Sequence, residues 1–295
     1  MKKIICMVMA LMMVLSLVAC GSTAPATTEP ADTQPADTQP AVATGVEDGI
    51  LTVGMECAYA PYNWTQLDDS NGAVPIVNNP GSFANGYDVM IAKKIAEANG
   101  WQLEVMAIGW DGLTPALNAG TIDMVIAGQS MTPTRMAEVD MAGPYFYASI
   151  VCVTKADSAL ANATGISQLT GSCTAQTGTI WYDSCLPQIE GAQLMPASET
   201  APAMIMAVTS GTVDYICTDM PTAMGACAAY EGLKILDFTG TDDDFEVDQS
   251  EIDIGASVKK GNTVLLEAAN KILKEMNADQ FNDLMNQAIA IQPTI

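Results

Sequence analysis

No histidine occurs anywhere in the 295 residues, which removes the usual general base near neutral pH and the commonest transition-metal ligand together. Ser-His-Asp chemistry is excluded by the same absence. The chain also lacks a Gly-x-x-x-x-Gly-Lys-Ser/Thr loop for nucleotide phosphates and a Gly-x-Gly-x-x-Gly turn for a dinucleotide. No Cys-x-x-Cys pair suggests zinc or redox catalysis. Enzymatic readings therefore start from a weak position, and no cofactor or metal is expected. Basic residues are scarce as well: 11 Lys and Arg stand against 34 Asp and Glu, a formal charge of −23. That balance repels nucleic acid and anionic lipid, so neither is an expected partner. The acidic residues are spread along the chain apart from Asp242-Asp243-Asp244 with Glu246, which fits a solvated surface better than an acidic tail.

The N-terminus carries the only long apolar run. Lys2-Lys3 precede a stretch that is almost wholly apolar from Ile4 to Val18, too short to span a bilayer comfortably and closed by small residues. This is the pattern of an export signal over residues 1–19. Loss of Lys2 and Lys3 with that signal would take the charge from −23 to −25. Leu17-Val18-Ala19-Cys20 followed by Gly21-Ser22 resembles the lipobox of bacterial lipoproteins. The resemblance implies that the Cys20 sulfur is acylated and that the mature protein is tethered outside the cytoplasmic membrane. From about Ser22 to Glu47 the composition shifts to Ala, Pro, Thr, Gln and Asp, with Ala31-Asp32-Thr33-Gln34-Pro35 repeated at once as 36–40. Such a segment buries too little apolar surface to offset its conformational entropy, so residues 20–47 read as an extended, disordered spacer. At polyproline-like extension it reaches roughly 60–80 Å.

About 250 residues remain, enough for one large domain or two small lobes. Strand and helix patterns alternate: a strand at 50–54, a helix at 89–99 stopped by Gly100, a strand at 102–106, a helix at 113–119 capped by Asp111, and a buried strand at 123–127. The rhythm returns with strands at 172–175, 193–195 and 215–217 and helices at 180–186, 201–209 and 221–229. A strand at 252–258 and helices at 264–277 and 280–289 are left over. This is α/β alternation with parallel strands expected. Beyond Cys20, six cysteines sit at 57, 152, 173, 185, 217 and 227. Those at 152, 173 and 217 fall in apolar strand-like runs, where a free thiol behaves as a small hydrophobe, so mostly free thiols are expected.

Several motifs follow one another in order. Leu51-Thr52-Val53-Gly54 leads to Tyr59-Ala60-Pro61-Tyr62, then Gly86-Tyr87-Asp88-Val89, Trp110-Asp111-Gly112-Leu113-Thr114-Pro115 and Ala127-Gly128-Gln129-Ser130-Met131-Thr132-Pro133-Thr134-Arg135. Pro144-Tyr145, Gln176-Thr177-Gly178-Thr179 and Asp219-Met220-Pro221 continue the series. Together they resemble the polar amino acid family of extracellular solute-binding proteins, over essentially all of 48–295. The resemblance implies an α/β, bilobed, periplasmic-binding-protein-like (type II) Venus flytrap whose two lobes are joined by two crossovers. Lobe 1 would hold 48–149 and 251–295, and lobe 2 would hold 150–250.

The chemistry at these positions suits a zwitterion. Ser130 and Thr132 end a buried strand and cap a helix with Pro133 at its first position, so hydroxyls and orphan N–H groups gather at the strand's carboxyl end. Arg135 lies on the first turn, where a cation is unfavourable unless an anion joins it, and its planar fork grips a carboxylate bidentately. Gln176, Thr177 and Thr179 link a strand to a helix and offer further donors. Asp219 precedes a helix; as a plain cap it is worth about 1 kcal/mol, and by resemblance it contacts the ligand's α-ammonium. By resemblance too, Tyr59 and Trp110 sandwich the ligand side chain, Gly128 belongs to the binding segment, and Glu56 faces a polar or cationic ligand head. Cys57 and the insertion 67–85 depart from the commoner pattern beside Glu56. Asp88 and Asp123 read as structural braces.

These readings converge on a lipid-anchored, non-enzymatic receptor, acting as a monomer, that captures a free polar or basic L-amino acid and delivers it to an ABC permease with its ATPase. A cyclohexadienyl dehydratase-like enzyme on the same fold, with Glu56 as the candidate acid/base, and an extracytoplasmic amino acid sensor module are the alternatives.

Overall fold

The structure is a computed structural model that describes residues 46–293. The segment expected to be an export signal, Cys20 and most of the expected spacer lie outside the described residues. No described helix is long and apolar enough to cross a membrane.

Two five-stranded sheets define the two lobes. In the first, the order is β6 (Gln102–Ala107), β1 (Ile50–Met55), β7 (Met124–Val125), β14 (Ile254–Lys259) and β8 (Val139–Phe146). The second runs β11 (Gly191–Leu194), β10 (Thr170–Thr174), β12 (Tyr215–Asp219), β9 (Ile150–Lys155) and β13 (Leu233–Leu236). A small third sheet, made of β2 (Ala58–Tyr59), β3 (Asn63–Gln66), β5 (Phe83–Asn85) and β4 (Val74–Pro75), accommodates the insertion on the first lobe. The chain thus leaves lobe 1 between β8 and β9 and returns before β14.

The helices follow the apolar periodicity. Lobe 1 carries α1 (Tyr87–Asn99), α2 (Leu113–Ala119), α3 (Pro133–Glu138), α7 (Thr263–Leu273) and α8 (Ala278–Ile291), while α4 (Ala201–Thr209) and α5 (Met220–Ala229) cover lobe 2 and α6 (Gln249–Ile252) lies on the return path. Gly100 ends α1 in the left-handed region, its N–H closing on the carbonyls of Ala96 and Glu97. A reciprocal capping box between Asn277 and Gln280 starts α8.

Three local expectations are corrected. The sheets are mixed: β1 pairs in parallel with β6 and β7, and β10 with β11 and β12, but β14 runs antiparallel to β7 and β8, and β9 to β12 and β13. The antiparallel strands are those that flank the crossings, which enter each sheet from the other lobe and need no βαβ return. Asp111 does not cap α2; it sits in a 3-10 turn, Trp110–Gly112, and Gly112 precedes the helix with no side-chain cap. The helix expected at 180–186 is a π-turn, Trp181–Cys185, running into a 3-10 turn, Leu186–Gln188. Pro187 has no N–H to continue an α ladder.

The two cores differ in kind. Lobe 1 packs a group of buried aromatic rings, Tyr62, Tyr87, Tyr145 and Phe146, in edge and stacked contacts. Lobe 2 packs Cys152, Cys173, Cys185 and Cys217 among aliphatic side chains and the buried rings of Tyr215, Trp181 and Phe238. These four, with Cys57 and Cys227, are free thiols, as the apolar strand positions led one to expect.

Candidate functional site

The cleft is organised by two strand ends that face each other. On lobe 1, the chain after β7 turns through Gly128, whose φ of +62° suits glycine. A Cβ there would lie 2.8 Å from Tyr59 Cε1, so only glycine lets Tyr59 lie against this turn. The Gly128 N–H donates to the Tyr145 hydroxyl at 2.9 Å, and that hydroxyl donates to Asp88 at 2.8 Å. The other Asp88 oxygen accepts from Asn63 Nδ2 at 2.8 Å. Burial pushes the Asp88 carboxyl up to about 7 against the pull of these donors. Asp88 is therefore a brace for the binding turn, as expected. Asp123 is one too, accepting the Thr52 N–H at 2.9 Å.

Beyond the turn, the Thr132 hydroxyl accepts the Arg135 N–H at 3.2 Å and caps α3. Pro133 fills the first helical position, where its missing N–H costs nothing. The Arg135 guanidinium donates to the Ser130 carbonyl, reaches the Gly178 carbonyl of lobe 2 at 3.4 Å, and lies 5.5 Å from the centre of the Trp110 ring. Burial lowers its pKa to about 10. A cation held this way over an aromatic face, beside a helix start, is arranged to receive an anion.

Lobe 2 answers with the segment after β10. The Thr179 hydroxyl donates to the Gln176 carbonyl at 2.7 Å, and the Thr177 N–H donates to the Ser198 carbonyl at 2.9 Å. Gln176 is 1 % exposed and its Nε2 has no hydrogen-bond partner in the protein. Glu56 Oε2 is likewise buried and unpartnered. Burial raises the Glu56 carboxyl to about 7, Gln176 lowers it, and Asp88 and Asp111 add repulsion. Glu56 is followed by Cys57 in the left-handed region, φ 54°, where Asn63 Oδ1 accepts the Cys57 N–H at 2.7 Å. That bond secures the unusual turn beneath Glu56.

Tyr59, Trp110, Gly128, Ser130, Arg135, Gln176 and Thr179 meet around one narrow cavity of about 10 Å³ between the lobes, nearly filled by their own side chains. Thr132 lines an adjoining open groove that shares Arg135 and Thr179. Glu56, Thr177 and Asp219 are outside the cavity wall. Asp219 caps α5 through the Thr222 N–H at 2.8 Å and is 1 % exposed, and burial raises its pKa.

Two contributors escaped the sequence reading. Trp181 completes the cavity wall; an aromatic in the first turn after a donor-bearing strand-to-helix link was the signal available for it. Tyr62, seen only as part of a motif, sends its hydroxyl to Asp219 at 3.0 Å. Nothing in a linear sequence pairs residues 157 positions apart.

Comparison with known proteins agrees with this geometry. Residues 51–289 match the model of the bacterial extracellular solute-binding proteins, family 3. A probable histidine-binding protein of Campylobacter jejuni is 27% identical over 237 residues, covering 80% of this chain and 82% of its own. Among solved structures, the substrate binding protein of an amino acid ABC transporter superposes with a TM-score of 0.64 at 25% identity, covering 81% of this chain and 98% of its own. The ancestral amino acid-binding protein AncCDT-1, a precursor of cyclohexadienyl dehydratase, gives 0.65 at 27% identity, covering 82% and 96%. With its two mixed α/β lobes around a cation-bearing cleft, the chain belongs to the bacterial extracellular solute-binding proteins of family 3.

Proposed function

We propose that this protein captures a free polar or basic L-amino acid between its lobes and delivers it to the membrane permease and ATPase of an ABC importer. Arg135 takes the α-carboxylate, with the hydroxyls of Ser130 and Thr132 and the Gln176 amide as neighbouring donors, while Gly128 and the Thr177–Thr179 segment shape the walls. Tyr59, Trp110 and Trp181 enclose the side chain, and Asp219 receives the α-ammonium. The observation that carries the reading is the charge census of the cleft. Arg135 is the only cation in the cavity wall, whereas three carboxyls, Glu56, Asp88 and Asp219, are buried around it close enough to raise one another. A ligand that gives its carboxylate to Arg135 is best held if the rest of it is cationic or donates hydrogen bonds.

The same reading makes residues 1–19 an export signal and Cys20 the acylated anchor, with 20–47 as spacer. Lobe 1 is then 48–149 and 251–295, and lobe 2 is 150–250. It is a binding protein: no bond is made or broken, and the relative AncCDT-1 is itself described as a cationic amino acid solute binding protein. A thermal-shift screen against L-arginine, L-lysine, L-ornithine, L-glutamine and L-glutamate tests it. A ligand that binds only the folded protein adds roughly 2.7 kcal/mol at a hundredfold excess over its Kd. Stabilisation by arginine, lysine, ornithine or glutamine is expected; stabilisation by none of the five, or turnover of prephenate or arogenate, would overturn the proposal.

A further inference from the structure

Two tyrosine hydroxyls cross the cleft to one carboxylate oxygen. Tyr62 donates to Asp219 Oδ2 at 3.0 Å and Tyr59 donates to the same atom at 3.3 Å, while the Thr222 hydroxyl donates to Tyr59 at 2.9 Å. Tyr62 and Tyr59 belong to lobe 1; Asp219 and Thr222 belong to lobe 2. The Tyr62 ring is fixed by its neighbours, stacked on Tyr59 with centroids 4.9 Å apart and edge-on to Tyr87 and Phe146 at 6.1 and 6.5 Å. It is fully buried and outside the wall of the cavity between the lobes. Its hydroxyl therefore has one evident task, which is to meet Asp219.

The bonds to Asp219 divide by origin. The Thr222 N–H lies in the same lobe and stays when the lobes separate. The tyrosine bonds exist only when the lobes meet. Burying a carboxylate without compensation costs several kcal/mol, so closure over Asp219 requires donors from the opposite lobe. The two hydroxyls supply them. Arg135 is treated the same way, since its guanidinium reaches the Gly178 carbonyl across the cleft. Backbones also approach closely at the seam, where a Cβ on Gly225 would lie 2.9 Å from Pro61 Cδ. Asp219 and Arg135 thus each have a protein partner from the opposite lobe.

We propose that Tyr62, with Tyr59, forms a hydroxyl latch on Asp219 that holds the lobes together, so that protein contacts populate the closed arrangement without a bound amino acid. The idea rests on the capture reading only in taking the lobes to open and close. Tyr62 is a positioning residue here, acting on the ligand through Asp219. Removing one hydrogen bond to a charged acceptor shifts the closed-to-open ratio by roughly 10- to 100-fold.

The test measures the distance between the lobes in the whole chain, stripped of ligand by unfolding, dialysis and refolding. Spin labels coupled to unnatural residues at exposed Leu67 and Leu194 report it by double electron–electron resonance. The unsubstituted latch should show a population at the closed separation, and Tyr62→Phe should move most of it to longer distances with an unchanged far-ultraviolet circular dichroism spectrum. Tyr59→Phe, which removes the longer bond, should move less, and it serves as the reading if Tyr62→Phe does not fold. A protein with an intact latch that shows only open distances, or Tyr62→Phe with an unshifted distribution, overturns the proposal. Because no amino acid is added, a failure of the ligand assignment leaves this outcome readable.

Discussion

The two lobes each bury a carboxylate near the cleft, and they satisfy it in opposite ways. Asp88 in lobe 1 is held by Asn63 and Tyr145, both from its own lobe. Asp219 in lobe 2 keeps Thr222 from its own lobe and borrows the hydroxyls of Tyr59 and Tyr62 from across the cleft. Lobe 1 is thus a self-contained half-site: its brace, its binding turn and its cation are fixed among themselves before lobe 2 arrives. Lobe 2 depends on closure for part of its polar satisfaction. Pre-organisation in one half lowers the cost of the first encounter, and dependence in the other makes closure responsive to what lies between.

The largest effect is expected where lobe 1 meets the ligand. Arg135→Ala removes one partner of a buried charge pair and should weaken binding by roughly 2–5 kcal/mol. The fold should persist, because α3 is a six-residue helix with no buried side chain. Calorimetry with whichever amino acid stabilises the protein most checks it; affinity equal to that of the unsubstituted protein would place the carboxylate elsewhere. The second comparison concerns stability. Asp88→Ala strands the Tyr145 hydroxyl and the Asn63 amide in the interior and should cost roughly 2–4 kcal/mol. Asp219→Ala removes a helix cap worth about 1 kcal/mol, and its tyrosine partners reach water when the lobes part. Urea unfolding should therefore rank Asp88→Ala well below Asp219→Ala. The reverse order would mean that lobe 2, not lobe 1, is the self-contained half.

Much of this was legible in the amino-acid order because the elements are local. Strands of alternating or continuous apolar residues, Gly100 after α1, and Asp219, Thr132 and Pro133 at helix starts are short-range signals whose physics does not depend on the other lobe. Ser130 and Arg135 in the cavity wall followed from the same local logic, whereas Tyr59, Trp110 and Gly128 came from the family resemblance. What escaped was set at long range or by a single interrupting residue. The antiparallel entry of β9 and β14 depends on where the chain crosses, the π-turn at 181–185 on Pro187, and the role of Tyr62 on a carboxylate 157 positions away. Asp111 had the right chemistry for a cap and the wrong place, because the 3-10 turn at 110–112 moves the helix start past it.

The buried carboxyls also predict how the protein responds to pH. Asp88 and Glu56 are both raised to about 7 by burial. A carboxyl held higher in the folded protein than in the unfolded chain binds its proton more tightly when folded. Its contribution is fully present below the unfolded value near 4 and is lost as pH rises through about 7. Melting temperature should therefore fall between pH 5.5 and pH 8, with Asp88 contributing on the order of 2 kcal/mol to the difference. Asp88→Asn should flatten the dependence. A melting temperature that rises over that interval in the unsubstituted protein, with the same slope in Asp88→Asn, would show that Asp88 is ionised throughout.

The smallest effect expected is one of selectivity. Glu56 and Gln176 face each other from opposite lobes, close enough for the Gln176 amide to lower the Glu56 carboxyl, yet neither Glu56 Oε2 nor Gln176 Nε2 completes a hydrogen bond. With Arg135 engaged by the α-carboxylate and Asp219 by the α-ammonium, Glu56 retains one negative charge for the side chain. An acidic ligand would set two carboxylates against each other in a desolvated cleft, whereas a cationic or amide side chain satisfies Glu56 by a charge-assisted hydrogen bond. Arginine, lysine, ornithine or glutamine should bind better than glutamate or aspartate. Glu56→Gln should weaken the cationic ligands by roughly 1.5–3 kcal/mol, the range for a hydrogen bond to a charged group, and leave glutamine less affected. The preference for cationic ligands should also fade below pH 7, as Glu56 takes up its proton near its raised value of about 7. Calorimetric titrations of both proteins with arginine and glutamine decide the matter. An equal loss for the two ligands in Glu56→Gln, or tight binding of glutamate by the unsubstituted protein, would show that Glu56 braces the left-handed turn at Cys57 and does not read the side chain.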